Sequence, residues 1–266
     1  MTRAASPGTR APRGFVAVGV LAAAFLALPV LGLILRAPWG DAFERLGRDG
    51  VADAVRTSAV CATASTFVAL VLGVPLAWLL AQGRIPGRSL IRAIVLVPLL
   101  LPPLVSGIGL LSVLGRRGMV GRLLDRWFGV TLPFTTAGVV VAVSFVALPF
   151  VVITMESGFR SLDRRLGAAA ATLGADPGSV VRTVTLPLVA PSLAAGTALA
   201  WARSLGEFGA TITFAGNLPG RTQTLPLATF LALETDLDQA VLLSMLLLIP
   251  TIVVLVLLRD RWQGLS

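Results

Sequence analysis

The apolar residues of this chain fall in blocks of about 20, the length a helix needs to cross ~30 Å of hydrocarbon. The blocks read as spans over Phe15–Leu35, Ser58–Ala81, Ala93–Leu114, Thr135–Met155, Ala190–Phe214 and Ala240–Leu258. Lipid offers no hydrogen-bond partners to an open backbone, so blocks of this length must be helices. Composition leads to the same fold class. Only 13% of the 266 residues are charged, about half of what a soluble domain carries. The expected fold is all-α and transmembrane, with about six helices.

What is missing narrows the function. All 22 basic residues are arginine, there is no lysine, histidine or tyrosine, and Cys61 is the single cysteine. Without lysine there can be no GxxxxGK[ST] phosphate loop and no Schiff base. Without histidine, Ser-His-Asp triads and HExxH zinc sites are excluded. The 13 carboxylates are scattered, and no pair sits in a segment that reads as a pocket. No catalytic residue, no metal ligand and no cofactor of its own is expected, so any active process must draw its energy from another polypeptide. The net charge of +9 is carried by short arginine clusters between the apolar blocks. That pattern fits the positive-inside bias and anionic headgroups, with the bilayer and not nucleic acid as the partner.

Arginine placement also orients the chain. The segment Met1–Gly14 carries Arg3, Arg10 and Arg13 without an acid, which places it in the cytoplasm. The first block exceeds the 7–15 residues of a signal-peptide core, and no A-x-A site follows it, so a retained anchor is preferred. Arg84, Arg88 and Arg92 stand unopposed in the second loop, on the cytoplasmic side. In the first loop Arg36, Arg45, Arg48 and Arg56 are balanced by Asp41, Glu44, Asp49 and Asp53, as in an external amphipathic segment. The third loop dissents: Arg116, Arg117, Arg122 and Arg126 face only Asp125, yet alternation puts them outside. Both termini are expected inside a multi-pass cell-membrane protein. Pro29, Pro75, Pro102, Pro103, Pro149 and Pro250 interrupt the spans, either as packing kinks or as bends about a central path. No internal repeat is visible.

The longest internal loop, residues 156–190, reads as a helical hairpin. Ser161 is placed to cap a first helix whose face is Ala168-Ala169-Ala170-Ala171, and Gly174 supplies a left-handed stop. Asp176-Pro177 then restarts a helix, with Asp as N-cap and Pro in the first turn. It is expected to run to about Val184, where Leu186-Pro187 breaks it. Ala168-Ala169-Ala170, Gly174 and Val184-Thr185-Leu186-Pro187 resemble the signature EAA-xxx-G-x9-I-x-LP of permease subunits of ATP-binding-cassette importers. In that family the loop carries the coupling helix that sits on the ATPase. The resemblance therefore assigns coupling to Ala168, Ala169, Ala170, Gly174, Asp176, Pro177, Leu186 and Pro187. One departure is clear: Ala168 stands where the signature has Glu.

The fifth block holds Arg203-Ser204-Leu205-Gly206-Glu207, then Phe208-Gly209-Ala210-Thr211-Ile212-Thr213-Phe214. Arg203 and Glu207 are four apart on one expected helix face, and either charge alone costs about 3 kcal/mol in a bilayer. They read as a structural pair or as a lining or gate element. Beyond them, Thr211, Thr213, Asn217, Arg221, Thr222, Gln223 and Thr224 offer N–H and O–H donors of the kind a tetrahedral oxyanion accepts. Loop solvation and contact with an external protein are the alternatives to direct ligation. The run Ser204–Leu227 closely resembles the corresponding segment of molybdate permease subunits.

The resemblance, extending from about Val51 onward, implies a type I importer permease with MetI-like architecture. It implies a tail, first helix and external segment over residues 1–50, a permease domain over 51–258 and a cytoplasmic tail over 259–266. The implied partners are a second copy of the chain, cytoplasmic ATPase subunits that use ATP, and an external substrate-binding protein. The implied function is import of molybdate, or tungstate, by alternating access. The alternatives are another oxyanion such as sulfate, or a secondary transporter working alone. The latter usually shows buried acids and paired broken helices.

Overall fold

The structure, a computed structural model, describes residues 12–83 and 85–262. Arg3, Arg10 and Arg84, used above to orient the chain, and residues 263–266 of the expected cytoplasmic tail lie outside the described residues. Every regular element among those described is helical.

The first block is helix α1 (Arg13–Arg36). It buries no residue along its length and meets the rest of the chain only near its end, where Leu33 and Ala37 join Val241, Leu242 and Met245. A 3-10 turn (Trp39–Asp41) and the short helix α2 (Ala42–Leu46) form the expected segment between the first two spans. Helix α3 (Val51–Gln82) starts two turns ahead of the expected Ser58, after Gly50 takes the left-handed conformation at φ +86°. The fourth and sixth blocks are α7 (Thr136–Ser161) and α13 (Leu237–Trp262). Thr135 caps α7 by accepting a 3.0 Å hydrogen bond from the Gly138 N–H.

The core is the packing of α3 and α7 with helix α10 (Leu186–Leu205). Small residues set the closeness of these helices, as expected where lipid removes a hydrophobic drive for association. Ala69 and Ala77 of α3, Ala147 of α7 and Ala200 of α10 are fully buried around Val151, Val152 and Met155. At Gly158 a Cβ would collide with Ser192 of α10, so glycine is required by close approach there.

Two of the six expected spans are not single straight helices. The third is a pair, α4 (Arg88–Leu100) and α5 (Pro103–Leu114), bent by 117°. Leu101 precedes a proline and is extended at ψ 135°, as the steric clash with the following ring demands. Two successive prolines then withhold the N–H groups that would continue the ladder. The fifth expected span, Ala190–Phe214, is divided as well. Helix α10 stops at Leu205, and a separate short helix α11 (Gly209–Ala215) begins after Gly206-Glu207-Phe208.

The arginine-rich third loop contains a helix, α6 (Met119–Phe128), folded back at Gly118 against the end of α5. Helix α12 (Leu225–Thr235) connects α11 to α13. Because α7 runs about 39 Å at 1.5 Å per residue, its ends define the two ends of the molecule. Near the Thr136 end, the Thr136 hydroxyl donates to the Arg221 carbonyl at 2.9 Å. On the same side the Leu225 N–H donates to Ser58 Oγ at 2.6 Å. The segment from Arg36 to Arg56 is tied to the start of α13 by Arg45–Asp236 (2.8 Å), Arg48–Asp236 (2.9 Å) and Arg45–Asp238 (3.5 Å) ion pairs. The Arg48 hydrogen bond, the Gln239 N–H and the Arg45 charge hold the Asp236 carboxyl below its ordinary range.

Candidate functional site

At the Ser161 end of α7 a helical hairpin projects. Its first arm is α8 (Arg164–Thr172) and its second is α9 (Pro177–Val180). The cap of the first arm is not Ser161, whose hydroxyl donates to the Gly158 carbonyl at 2.8 Å and so finishes α7. Asp163 does the capping, accepting the Arg165 N–H at 2.9 Å. A carboxylate at that position also meets the positive end of the helix dipole, which the hydroxyl two residues earlier cannot do. Gly174 stops the arm as expected, at φ +88°. Its N–H donates to the Ala171 carbonyl and the Ala175 N–H to the Ala170 carbonyl, the paired bonds of a Schellman stop. Asp176 Oδ1 then accepts from both the Gly178 (2.9 Å) and Ser179 (3.1 Å) N–H groups, with Pro177 opening α9.

The structure corrects the second arm's end. Leu186-Pro187 does not break it. Residues Val181–Thr185 form a single π-helical turn, and α9 passes through it into α10. The wider turn absorbs a proline that would otherwise clash with the preceding carbonyl ladder. Pro187 thus lies within the first turn of α10, after Leu186. Ala168, Ala169 and Ala170 all lie in α8. Ala169 is exposed and Ala170 partly so. At the tip Leu173 is 89% exposed, an apolar side chain facing outward. Between the hairpin (Leu166, Ala171, Val180, Val184) and the ends of α3 and α7 (Trp78, Gln82, Phe159) lies an open cleft of about 500 Å³. The hairpin therefore rests on the bundle through few contacts and has space behind it.

The root of the hairpin holds a cluster that sequence reasoning missed. Glu156, with a side chain 10% exposed, is surrounded by Arg88 (3.5 Å), Arg92 and Arg160 (3.1 Å). One carboxylate thus joins the start of α4 to the end of α7. The available signals were the i,i+4 spacing of Glu156 and Arg160 and the lack of any acid between Asp53 and Asp125, which leaves Arg88 and Arg92 to find a distant partner.

The second candidate region is the break after α10. Arg203 is on α10, but Glu207 lies outside any helix, so the pair is not on one helix face as expected. The two still meet: Glu207 Oε2 is 2.6 Å from Arg203 Nη2. Glu207 is 2% exposed, and its Oε1 accepts the Ala210 N–H at 2.8 Å, capping α11. One buried carboxylate therefore balances a guanidinium and starts the next helix. Helix α11 runs beside α5 in the same direction. Gly209 faces Pro103, a Cβ at Gly107 would collide with Thr213, and Phe214 packs with Leu110 and Leu114.

The remaining donors are divided. The Thr213 hydroxyl is spent on the Gly209 carbonyl (2.8 Å), and Thr222 Oγ1 accepts the Leu218 N–H (2.9 Å), closing the loop. Arg221 is exposed at the Thr136 end, while Gln223 is buried. Thr211 Oγ1, Asn217 Oδ1 and Thr224 Oγ1 are buried with no hydrogen-bond partner among the described residues, as are the hydroxyls of Ser106 on α5 and Ser204 on α10. The structure thus brings Arg203 and Glu207 together at the break, places Thr211 in the first turn of α11 just after it, and places Asn217, Arg221, Thr222 and Thr224 in the loop beyond.

Long apolar spans, two of them broken, with a buried ion pair at one break and a capped hairpin protruding from one end, define a polytopic permease component. The chain belongs to the family of binding-protein-dependent transport system inner membrane components, which it matches over residues 70–266. It is 43% identical to the molybdenum transport system permease protein ModB of Mycobacterium tuberculosis, over 91% of the chain and 92% of the relative. It is 38% identical to ModB of Escherichia coli K12, over 79% and 91%. The sulfate transport system permease protein CysT of Salmonella typhimurium is 34% identical over 79% and 76%. A solved bacterial alginate ABC transporter, in complex with an alginate pentasaccharide-bound periplasmic protein, shares the fold with a TM-score of 0.69 at 14% identity, over 92% of each chain.

Proposed function

We propose that the chain is the transmembrane subunit of an ATP-driven importer that takes molybdate, or tungstate, from an external binding protein to the cytoplasm by alternating access. The observation that carries this reading is the 43% identity to a molybdenum permease along nearly the whole of both chains. The hairpin end is cytoplasmic, both termini are inside, and residues 51–258 form the permease unit. Leu173, Gly174 and the α8–α9 arms are the surface presented to the ATPase, with ATP bound there and not by this chain. Ala168 brings no charge to that contact, so shape supplies the fit.

The break at Arg203–Glu207 is the element whose state differs between the two access forms. A buried pair in one chain is costly to separate, and the same residues facing a second copy could exchange partners without being exposed to lipid. The unpartnered Thr211, Asn217 and Thr224 oxygens are the polar groups on offer to a passing oxyanion. Tight binding is not expected of them, because a deep well would slow release. Nucleotide state biases the two forms through the hairpin.

The similarity to CysT gives a second cargo, sulfate. Reconstitution with the ATPase and binding protein tests both readings. Stimulation of hydrolysis by binding protein loaded with molybdate, and not with sulfate, is the expected result. Stimulation by sulfate alone would make the chain a sulfate permease. Transport without the ATPase would remove the importer reading altogether.

A further inference from the structure

Helix α6 divides into two halves by charge. Met119, Val120, Leu123, Leu124, Trp127 and Phe128 occupy one half of its circumference, and Arg122, Asp125 and Arg126 the other, at 100° per residue. Gly121 is its one buried residue, pressed against the Gly115 carbonyl at the end of α5. Most of the apolar stripe is therefore uncovered among the described residues: Met119, Trp127 and Phe128 are about 70% exposed and Leu123 45%, while Val120 and Leu124 are half-buried. A stripe of this kind is stable only against an apolar medium.

The position of α6 identifies that medium. It is pinned where α5 ends, and α5 itself exposes Ile108, Leu111 and Val113, the outward side of a span in lipid. The stripe on α6 continues that apolar surface around the corner at Gly118. Arg116, Arg117, Arg122 and Arg126 are all exposed there and are opposed only by Asp125. A segregated apolar face, a strongly basic opposite face and low overall apolarity are the marks of a helix lying in the plane of a membrane surface.

We propose that α6 is an interfacial helix, with the Met119–Leu123–Trp127 stripe immersed among acyl chains and the four arginines on the phosphates of anionic lipid headgroups. This accounts for the dissenting third loop. Its arginines are held at the membrane surface by a folded helix, so they are not free to obey a rule about translocated loops. The inference does not depend on the cargo or on the direction of transport.

The test places an environment-sensitive fluorophore on the full chain through Met119→Cys, Leu123→Cys or Arg122→Cys. Cys61 is buried and stays unlabelled. In vesicles of phosphatidylcholine and phosphatidylglycerol, labels at 119 and 123 should be quenched by brominated acyl chains and shielded from aqueous iodide. The label at 122 should behave in the opposite way. Equal iodide quenching at 122 and 123 would overturn the proposal. Shielding of 123 from both quenchers would also do so, since a second copy or another protein would then cover the stripe. With only the phosphatidylglycerol brominated, quenching at 123 should exceed its share of the lipid. That preference should fall about five-fold for each arginine removed in Arg122→Gln and Arg126→Gln. A preference unchanged in both variants would remove the headgroup assignment.

Discussion

At the scale of single residues, this chain uses carboxylates as fasteners. Glu156 serves three arginines, Glu207 serves one arginine and one backbone N–H, and Asp236 serves Arg45 and Arg48. Each joins elements that are not adjacent in the chain or that a break has separated. Glu156→Gln leaves Arg88, Arg92 and Arg160 without a counter-charge at the hairpin root. A loss of about 1–3 kcal/mol is expected, between exposed and fully buried pairs, because the arginines are partly solvated. Thermal unfolding in detergent reads this, and an unchanged midpoint would show the cluster to be idle. Asp236 makes a pH prediction. Its folded pKa lies below the unfolded value, so its contribution is complete above about pH 4 and is lost as pH falls through the depressed folded value. The wild-type midpoint should therefore fall more steeply than that of Asp236→Asn below about pH 4. Parallel curves would show that the brace makes no such contribution.

At the scale of elements, the hairpin was the most legible part of the sequence, because its signals are local. Gly174, Asp176 and Pro177 each announce a cap or stop within four residues of where it acts, and each acts there. The Asp163 cap was missed in favour of Ser161 because two candidate caps lay two residues apart, and only the preceding helix decides which is free. The breaks were less legible. Pro102 and Pro103 marked an interruption, but the 117° bend follows from how α5 packs on α11, which is not a local property. The stretch from Gly206 to Phe208 reads as helix because Glu207 sits four residues after Arg203. Its role as cap of α11 depends on burial. Spans α1, α7 and α13 were found within two turns, because length and apolarity alone define them. Gly174→Val forces a β-branched residue into the left-handed region, at a cost of about 1–2 kcal/mol. It should lower transport per ATP hydrolysed, while Gly174→Asn, which tolerates that conformation, should restore most of it. Equal transport in both variants would separate the turn from coupling.

At the scale of the whole molecule, the two candidate regions lie at opposite ends of one helix. The π-helical turn at Val181–Thr185 sets how the hairpin is rotated relative to α10. Inserting one alanine between Pro187 and Leu188, where α10 is α-helical, should rotate the hairpin by about 100° about the helix axis. The spans do not depend on that angle, so the unfolding midpoint should shift little. Stimulation of ATP hydrolysis by loaded binding protein should be lost. Retained stimulation would show that the hairpin's angular setting does not matter. Sequence could not reveal this arrangement, because a π turn carries no residue signature and Pro187 points to the opposite conclusion.

Continuity from Pro177 to Leu205 has a mechanical consequence. A helix of 29 residues is a rod of about 44 Å, and the glycines at its contact with α7, Gly196 on the rod and Gly158 on α7, leave few interlocking teeth to hold it. A tilt of about 5° pivoted at one end would carry the other through about 4 Å, enough to part an ion pair formed there, over a rod of that length. On this view the hairpin and the Arg203–Glu207 pair are the two ends of a lever, and no relay of side chains between them is required.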